Sequence, residues 1–119
     1  MDLVVTHSTF GDHRLAVLEV SGRIDQTHAA AFQEQLQPYL DTCTTGAAAI
    51  LLDFSKVEYI SSVGLRVLML AAKQVKAQGG RIGIAGLTPI VAEVFQISRF
   101  NLVIRVFESV AAGRTELAP

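Results

Sequence analysis

The stretch "AAAILLDF" at positions 47–54 constrains this chain more than any other. A half-buried strand alternates apolar and polar side chains. A run that is apolar at nearly every position reads as a strand buried on both faces, the kind found inside an α/β sheet. The chain has 119 residues, which predicts one domain spanning 1–119 and a core that closes without disulfides or metals. Half of its residues are hydrophobic and 18% are charged, the balance of a folded protein.

The elements around this run follow from changes of period. "LVVTH" (3–7) and "RLAVLEVSG" (14–22) are rich in Val and Leu. They flank "STFGD", where Gly11 and Asp12 supply a turn, so an antiparallel hairpin is expected. "DQTHAAAFQEQLQPYL" (25–40) shifts to helical spacing, with Ala29, Phe32, Leu36 and Leu40 on one side. Thr27 is the expected cap, and Pro38 is expected to bend or fray the end. "DTCTTG" (41–46) reads as loop, and "SKVEYI" (55–60) as a connection.

From Ser62 to Gln78 the pattern is helical again. Leu65, Leu68, Met69, Ala72 and Val75 share a face, with Arg66, Lys73 and Lys76 off it. Gly79 and Gly80 stop this helix, because glycine takes a left-handed cap without strain. "RIGIAGL" (81–87) is the next strand. "TPIVAEVFQISRF" (88–100) opens with Thr88 as cap and Pro89 at the first helical position, and has Val91, Val94, Phe95 and Ile97 on an apolar side. "LVIRVF" (102–107) is the last strand, "ESVAAG" (108–113) is one or two helical turns at most, and residues 113–119 are expected to form a loose tail. The order is β-β-α-β-α-β-α-β-α. Alternating strands and helices imply right-handed crossovers and parallel neighbours, and the opening hairpin makes the sheet mixed.

Composition excludes several function classes. Ten Lys and Arg against eleven Asp and Glu give a net charge of −1, with no basic surplus for nucleic acid. No run approaches the ~18 apolar residues of a membrane-spanning helix, so direct membrane insertion is not expected. The first residues also lack the basic start and apolar stretch of a signal peptide. Cys43 is the only cysteine, which fits a reduced, cytoplasmic compartment. His7, His13 and His28 lack metal-ligand spacing, and no glycine-rich phosphate loop occurs. No cofactor is therefore expected. "ISSVG" also lacks the first glycine of the G-x-S-x-G nucleophile elbow, so no enzyme is expected either.

Two serines remain, side by side at the mouth of the third quarter's helix. One suffices as a cap, since a serine oxygen there accepts a free backbone N–H. The other is open to a sharper role. A helix N-terminus carries unpaired N–H groups and a positive dipole end, so a phosphate is welcome there. A phosphate attached to one serine would add nearly two negative charges and three strong acceptors, and would repel a partner that docks on bare hydroxyls.

"VSGRID" (20–25), "ILLDFSKVEYISSVGLRVL" (50–68), "GGRIGIAGLTPIVAEVF" (79–95) and the closing "IRVFES" resemble the STAS-domain family, and within it the bacterial anti-sigma factor antagonists. The similarity runs from about residue 3 to about residue 112. The resemblance implies a mixed sheet with helices packed mainly on one face. It implies a regulatory binder whose unphosphorylated form holds an anti-sigma factor that is also a serine kinase, freeing the sigma factor. Phosphorylation of one serine at the start of the second helix ends the binding, and a PP2C-type phosphatase restores it. The family's phosphoserine falls on Ser62, with Ser61 as second choice. The partner surface falls on Asp25, Ser61, Ser62, Val63, Gly64 and Arg66, and a further family aspartate matches Asp53. Two departures stand out: Ser61 where many members carry Asp, and Val63 where Ser or Thr often follows. Other STAS domains serve, without phosphorylation, as subunits of lipid transporters or of stressosome-like assemblies, which is the alternative reading.

Overall fold

A computed structural model describes residues 4–8, 15–44 and 49–117. Five strands, β1 (Val4–Ser8), β2 (Leu15–Ile24), β3 (Ala49–Ile60), β4 (Arg81–Ala85) and β5 (Arg105–Phe107), alternate after the opening pair with helices α1 (Ala29–Thr42), α2 (Ser62–Ala77), α3 (Pro89–Ile97) and α4 (Val110–Leu117). The strands lie in chain order, β1-β2-β3-β4-β5. β1 pairs antiparallel with β2, and every later neighbour is parallel. The mixed α/β sheet expected from the sequence is the one observed. The turn at Gly11 and Asp12, His13, and positions 47 and 48 lie outside the described residues.

Strand order explains the layers. When each crossover of one hand steps to the next strand on the same side, the crossing helices collect on one face. The larger core holds Phe32, Leu36 and Leu40 of α1, Leu65, Leu68 and Val75 of α2, and Val91 and Phe95 of α3. These pack on Leu18, Val20, Ile50, Leu52 and Ile84 from the strands. The alternate strand residues Leu15, Val17, Ala49 and Leu51 point the other way, into a second cluster with Leu117 of α4. β3 is thus buried on both faces for its first half, as the apolar run demands.

Four expectations about element extents and burial need correction. "SKVEYI" is strand, and β3 runs to Ile60. Two register shifts against β2, between Glu19 and Ser21 and between Gly22 and Arg23, re-aim its side chains. The core-facing positions are even-numbered up to Phe54, pass to Val57 after the first shift and return to Ile60 after the second, while Lys56 and Glu58 face solvent. Second, the expected loose tail at 113–119 is helix through Leu117, whose side chain is 1% exposed. The second sheet face needs a cover, and α4 supplies it; a Cβ on Gly113 would stand 2.7 Å from Leu51 Cδ1. Third, the last strand shortens to Arg105–Phe107. Arg99, at φ 55°, turns the chain into a 3₁₀ turn over Phe100–Leu102 instead. Fourth, Ile97 is 77% exposed, because 240° of helical rotation from Val91 carries it off the buried stripe of α3.

Two terminators behave as read. Gly79, at φ 81°, follows α2; its N–H donates to Lys76 O and the Gly80 N–H to Val75 O, a Schellman pair that closes the helix. Pro89 opens α3. The Thr88 hydroxyl does not cap it but donates to Val57 O at 2.9 Å, tying α3 to the late half of β3.

Candidate functional site: the paired helix starts

The site lies at the C-terminal ends of β2 and β3, where α1 and α2 begin. Parallel α/β sheets place helix N-termini, and hence free N–H groups and positive dipole ends, along this edge. The chain builds both helix starts from short local motifs.

At α2, Ser61 is the residue before the first helical position, with extended backbone. Its Oγ accepts the Gly64 N–H at 3.2 Å, its carbonyl accepts the Leu65 N–H at 2.9 Å, and its own N–H donates to Ile24 O at 2.8 Å. Ser61 is therefore the cap and the bolt between α2 and the end of β2. Ser62 takes the first helical position and is exposed. Gly64 explains why the junction is so close: a Cβ there would meet Ile24 Cγ2 at 2.7 Å, Ile60 Cγ1 at 2.9 Å and Ile24 O at 3.0 Å.

At α1, the expected cap Thr27 is exposed; His28 takes the N-cap position without a side-chain cap bond, and Asp25 holds the turn that leads into it. Asp25 Oδ1 accepts the His28 backbone N–H at 3.0 Å and faces His28 Nδ1 at 2.8 Å. An aspartate that reaches three residues ahead satisfies the helix start and its own charge together. The His28 side chain beside it holds the Asp25 carboxyl below its ordinary value, against a smaller upward push from partial burial.

The structure brings Asp25, Ser61, Ser62, Val63, Gly64 and Arg66 to one end of the molecule. Asp53 belongs elsewhere: its Oδ1 accepts the Ser55 N–H at 3.0 Å and braces the first irregularity of β3. Cys43 is buried, its thiol directed at Arg81 O and pushed up by burial, which suits an inert side chain. Among the described residues no cluster of His, Cys, Asp or Glu could hold a metal, and no helix is long and apolar enough to cross a membrane.

One feature of the site went unread in the sequence. Val63, Arg66, Val67 and Leu70 fall on one side of α2 and, with Ala29, Ala30 and Gln33 of α1, line a groove of about 260 Å³. Val63 and Leu70 are 40% and 43% exposed there. Their spacing of three, four and seven was available as a second helical stripe, beside the deeper one that filled the core. Arg23 stacks over the Tyr59 ring at 4.8 Å on the adjoining strand ends, a cross-strand pair hidden by the late register shift.

The fold is thus a small α/β domain with an exposed serine at the mouth of its second helix, beside a first helix whose entry is held by Asp25. The chain belongs to the STAS-domain family: residues 10–105 match the family model described as "Mlab, STAS domain". It is 34% identical over 90 residues to the Bordetella bronchiseptica protein named "Putative anti-sigma factor antagonist BtrV", covering 76% of this chain and 75% of that one. Its fold is similar to the crystal structure of an anti-sigma factor antagonist from Mycobacterium paratuberculosis, with TM-score 0.81, 20% identity, and 98% and 96% of the two chains covered. It is also similar to the phosphorylated form of the Bacillus cell fate determinant SpoIIAA, with TM-score 0.67, 15% identity, and 96% and 99% covered.

Proposed function

We propose that this chain is a cytoplasmic anti-sigma factor antagonist that acts by binding and has no catalytic role. Its unphosphorylated form binds an anti-sigma factor that is also a serine kinase, and so releases the sigma factor. Phosphorylation of Ser62 ends the binding, and a PP2C-type phosphatase restores it. The carrying observation is the division of labour between the serines: the Ser61 oxygen is committed to the Gly64 N–H, while Ser62 stands exposed at the first helical position. A phosphate on Ser62 would sit against the free N–H groups of α2, so the fold tolerates it while the docking surface changes charge. The names of the relatives support the partner class, and the cap geometry supports the acceptor.

The test is incubation with the cognate anti-sigma factor and ATP, followed by mass spectrometry and a binding assay. One phosphate on Ser62 is expected, none on Ser62→Ala, and no binding by Ser62→Asp. Label on Ser61 alone overturns the site. No label together with stable binding to a transporter or stressosome-like component favours the unphosphorylated assembly subunit. A burst of acyl-enzyme with an activated ester would overturn the non-catalytic reading.

A further inference from the structure

Arg66 is the one charged residue lining the groove between α1 and α2. It is exposed and has no ion-pair partner among the described residues. It also stands four residues after Ser62 on the same helix. Residues four apart on a helix face each other at roughly 5–6 Å between Cβ atoms, close enough for a guanidinium to close on a side-chain phosphate. The order is the favourable one, with the anion toward the helix N-terminus and the cation toward its C-terminus.

We infer that Arg66 receives the Ser62 phosphate and leaves the groove when it does so. This deepens the proposed switch and rests on Ser62 as the acceptor. In the unmodified chain Arg66 gives the apolar groove of Val63, Val67 and Leu70 a positive rim. In the phosphorylated chain the guanidinium turns back along α2 onto the phosphate. The groove then loses its cation as the helix mouth gains a dianion, so a single modification alters two neighbouring parts of the docking surface. No covalent step beyond the phosphorylation itself is involved. The other ionisable groups at this end are Asp25 and His28 at the start of α1, with Arg23, stacked on Tyr59, and Glu58 on the ends of β2 and β3.

The experiment does not depend on any kinase or partner. Phosphoserine is installed at position 62 of the full chain by nonsense suppression, and the phosphate is titrated by ³¹P NMR in the parent, Arg66→Gln, Arg66→Lys and His28→Gln proteins. Pairing with Arg66 stabilises the dianion, so the parent phosphate is expected to titrate about 0.3 pH unit below that of Arg66→Gln, the shift of a good pair at this spacing. Arg66→Lys is expected to keep part of that shift, and the Arg66 Nε–H signal is expected to move on phosphorylation in the parent and in His28→Gln alike. Equal titration in parent and Arg66→Gln, or a shift that follows His28 in place of Arg66, overturns the inference. Arg66 is exposed, so a melting temperature for unphosphorylated Arg66→Gln within about 2 °C of the parent certifies the fold. A phosphorylated chain that still binds the anti-sigma factor would sink the proposed function while leaving the Arg66 titration standing.

Discussion

Removing each serine oxygen in turn tests the roles given to the pair. Ser61→Ala deletes the acceptor of the Gly64 N–H, and Gly64 is buried, so water replaces that acceptor poorly. Loss of a serine cap costs about 1 kcal/mol. For 119 residues the unfolding entropy makes that a fall of about 4 °C in melting temperature. Ser62→Ala removes an exposed hydroxyl at the first helical position, where alanine is the better helix former. Its stability should change by less than about 0.5 kcal/mol. Ser61→Asp keeps an acceptor and puts a negative charge at the positive end of α2, so it should match or exceed the parent. Urea denaturation followed by circular dichroism measures all three. A Ser62→Ala protein destabilised more than Ser61→Ala would refute the assignment of cap and free hydroxyl, and with it the geometric case for Ser62 as the acceptor.

Three further outcomes follow from the packing. Gly64→Ala forces a methyl against Ile24 Cγ2, Ile60 Cγ1 and the Ile24 carbonyl; overpacking of about 1–3 kcal/mol exceeds the helix-propensity gain of about 1 kcal/mol, so denaturation should show a net loss and the binding assay a weakened interface. Leu117→Ala should cost about 2–5 kcal/mol, measured by urea denaturation, because the side chain is buried against the second sheet face; a neutral result would mean that α4 does not cover the sheet. The Asp25 carboxyl is held below the ordinary 3.8 by His28, so the folded state binds fewer protons than the unfolded one just below that pH. The stabilisation is full above the ordinary value and is lost as pH falls through the lower folded one. Asp25→Asn should flatten this acid limb in denaturation series between about pH 6 and pH 2, and an unchanged limb would count against the pair.

The parts of the fold that were legible are those where one local signal acts alone. The run 47–54 read as a doubly buried strand because nearly every side chain in it is apolar. The Gly79–Gly80 stop and the Pro89 start read correctly because backbone chemistry sets them without help from neighbours. The misread parts depend on contacts made far along the chain. The second half of β3 looked like a link because two extra residues break its alternation, and only the register against β2 shows where the phase changes and changes back. Residues 114–117 looked loose because α4 is weakly apolar by itself; Leu15, Val17 and Leu51 make it a helix worth burying. The helix start expected of Thr27 moved to His28, because the Asp25 carboxyl reaches both the backbone and the ring of His28. At the site, the serines and Asp25 were singled out through their resemblance to a known family, and the structure brings them to one end of the sheet. The Val63–Leu70 stripe was masked by the stronger core stripe of the same helix.

The departure at Ser61 acquires a physical meaning from this geometry. Serine and aspartate are about equally good at the cap position, since each offers one oxygen to the N–H two or three residues on. The exchange therefore leaves the start of α2 intact, as the Ser61–Gly64 bond shows. What changes is charge. An aspartate there would place a carboxylate next to the Ser62 oxygen, and a phosphate on Ser62 would then meet like charge at close range. With serine in that place, this end of the molecule holds the Asp25–His28 pair, already satisfied, and the open cation of Arg66. The absence of a carboxylate at position 61 and the presence of Arg66 four residues after Ser62 act in the same direction. Both would lower the cost of a dianion at Ser62, so the proposed switch treats the serine pair and Arg66 as one electrostatic unit.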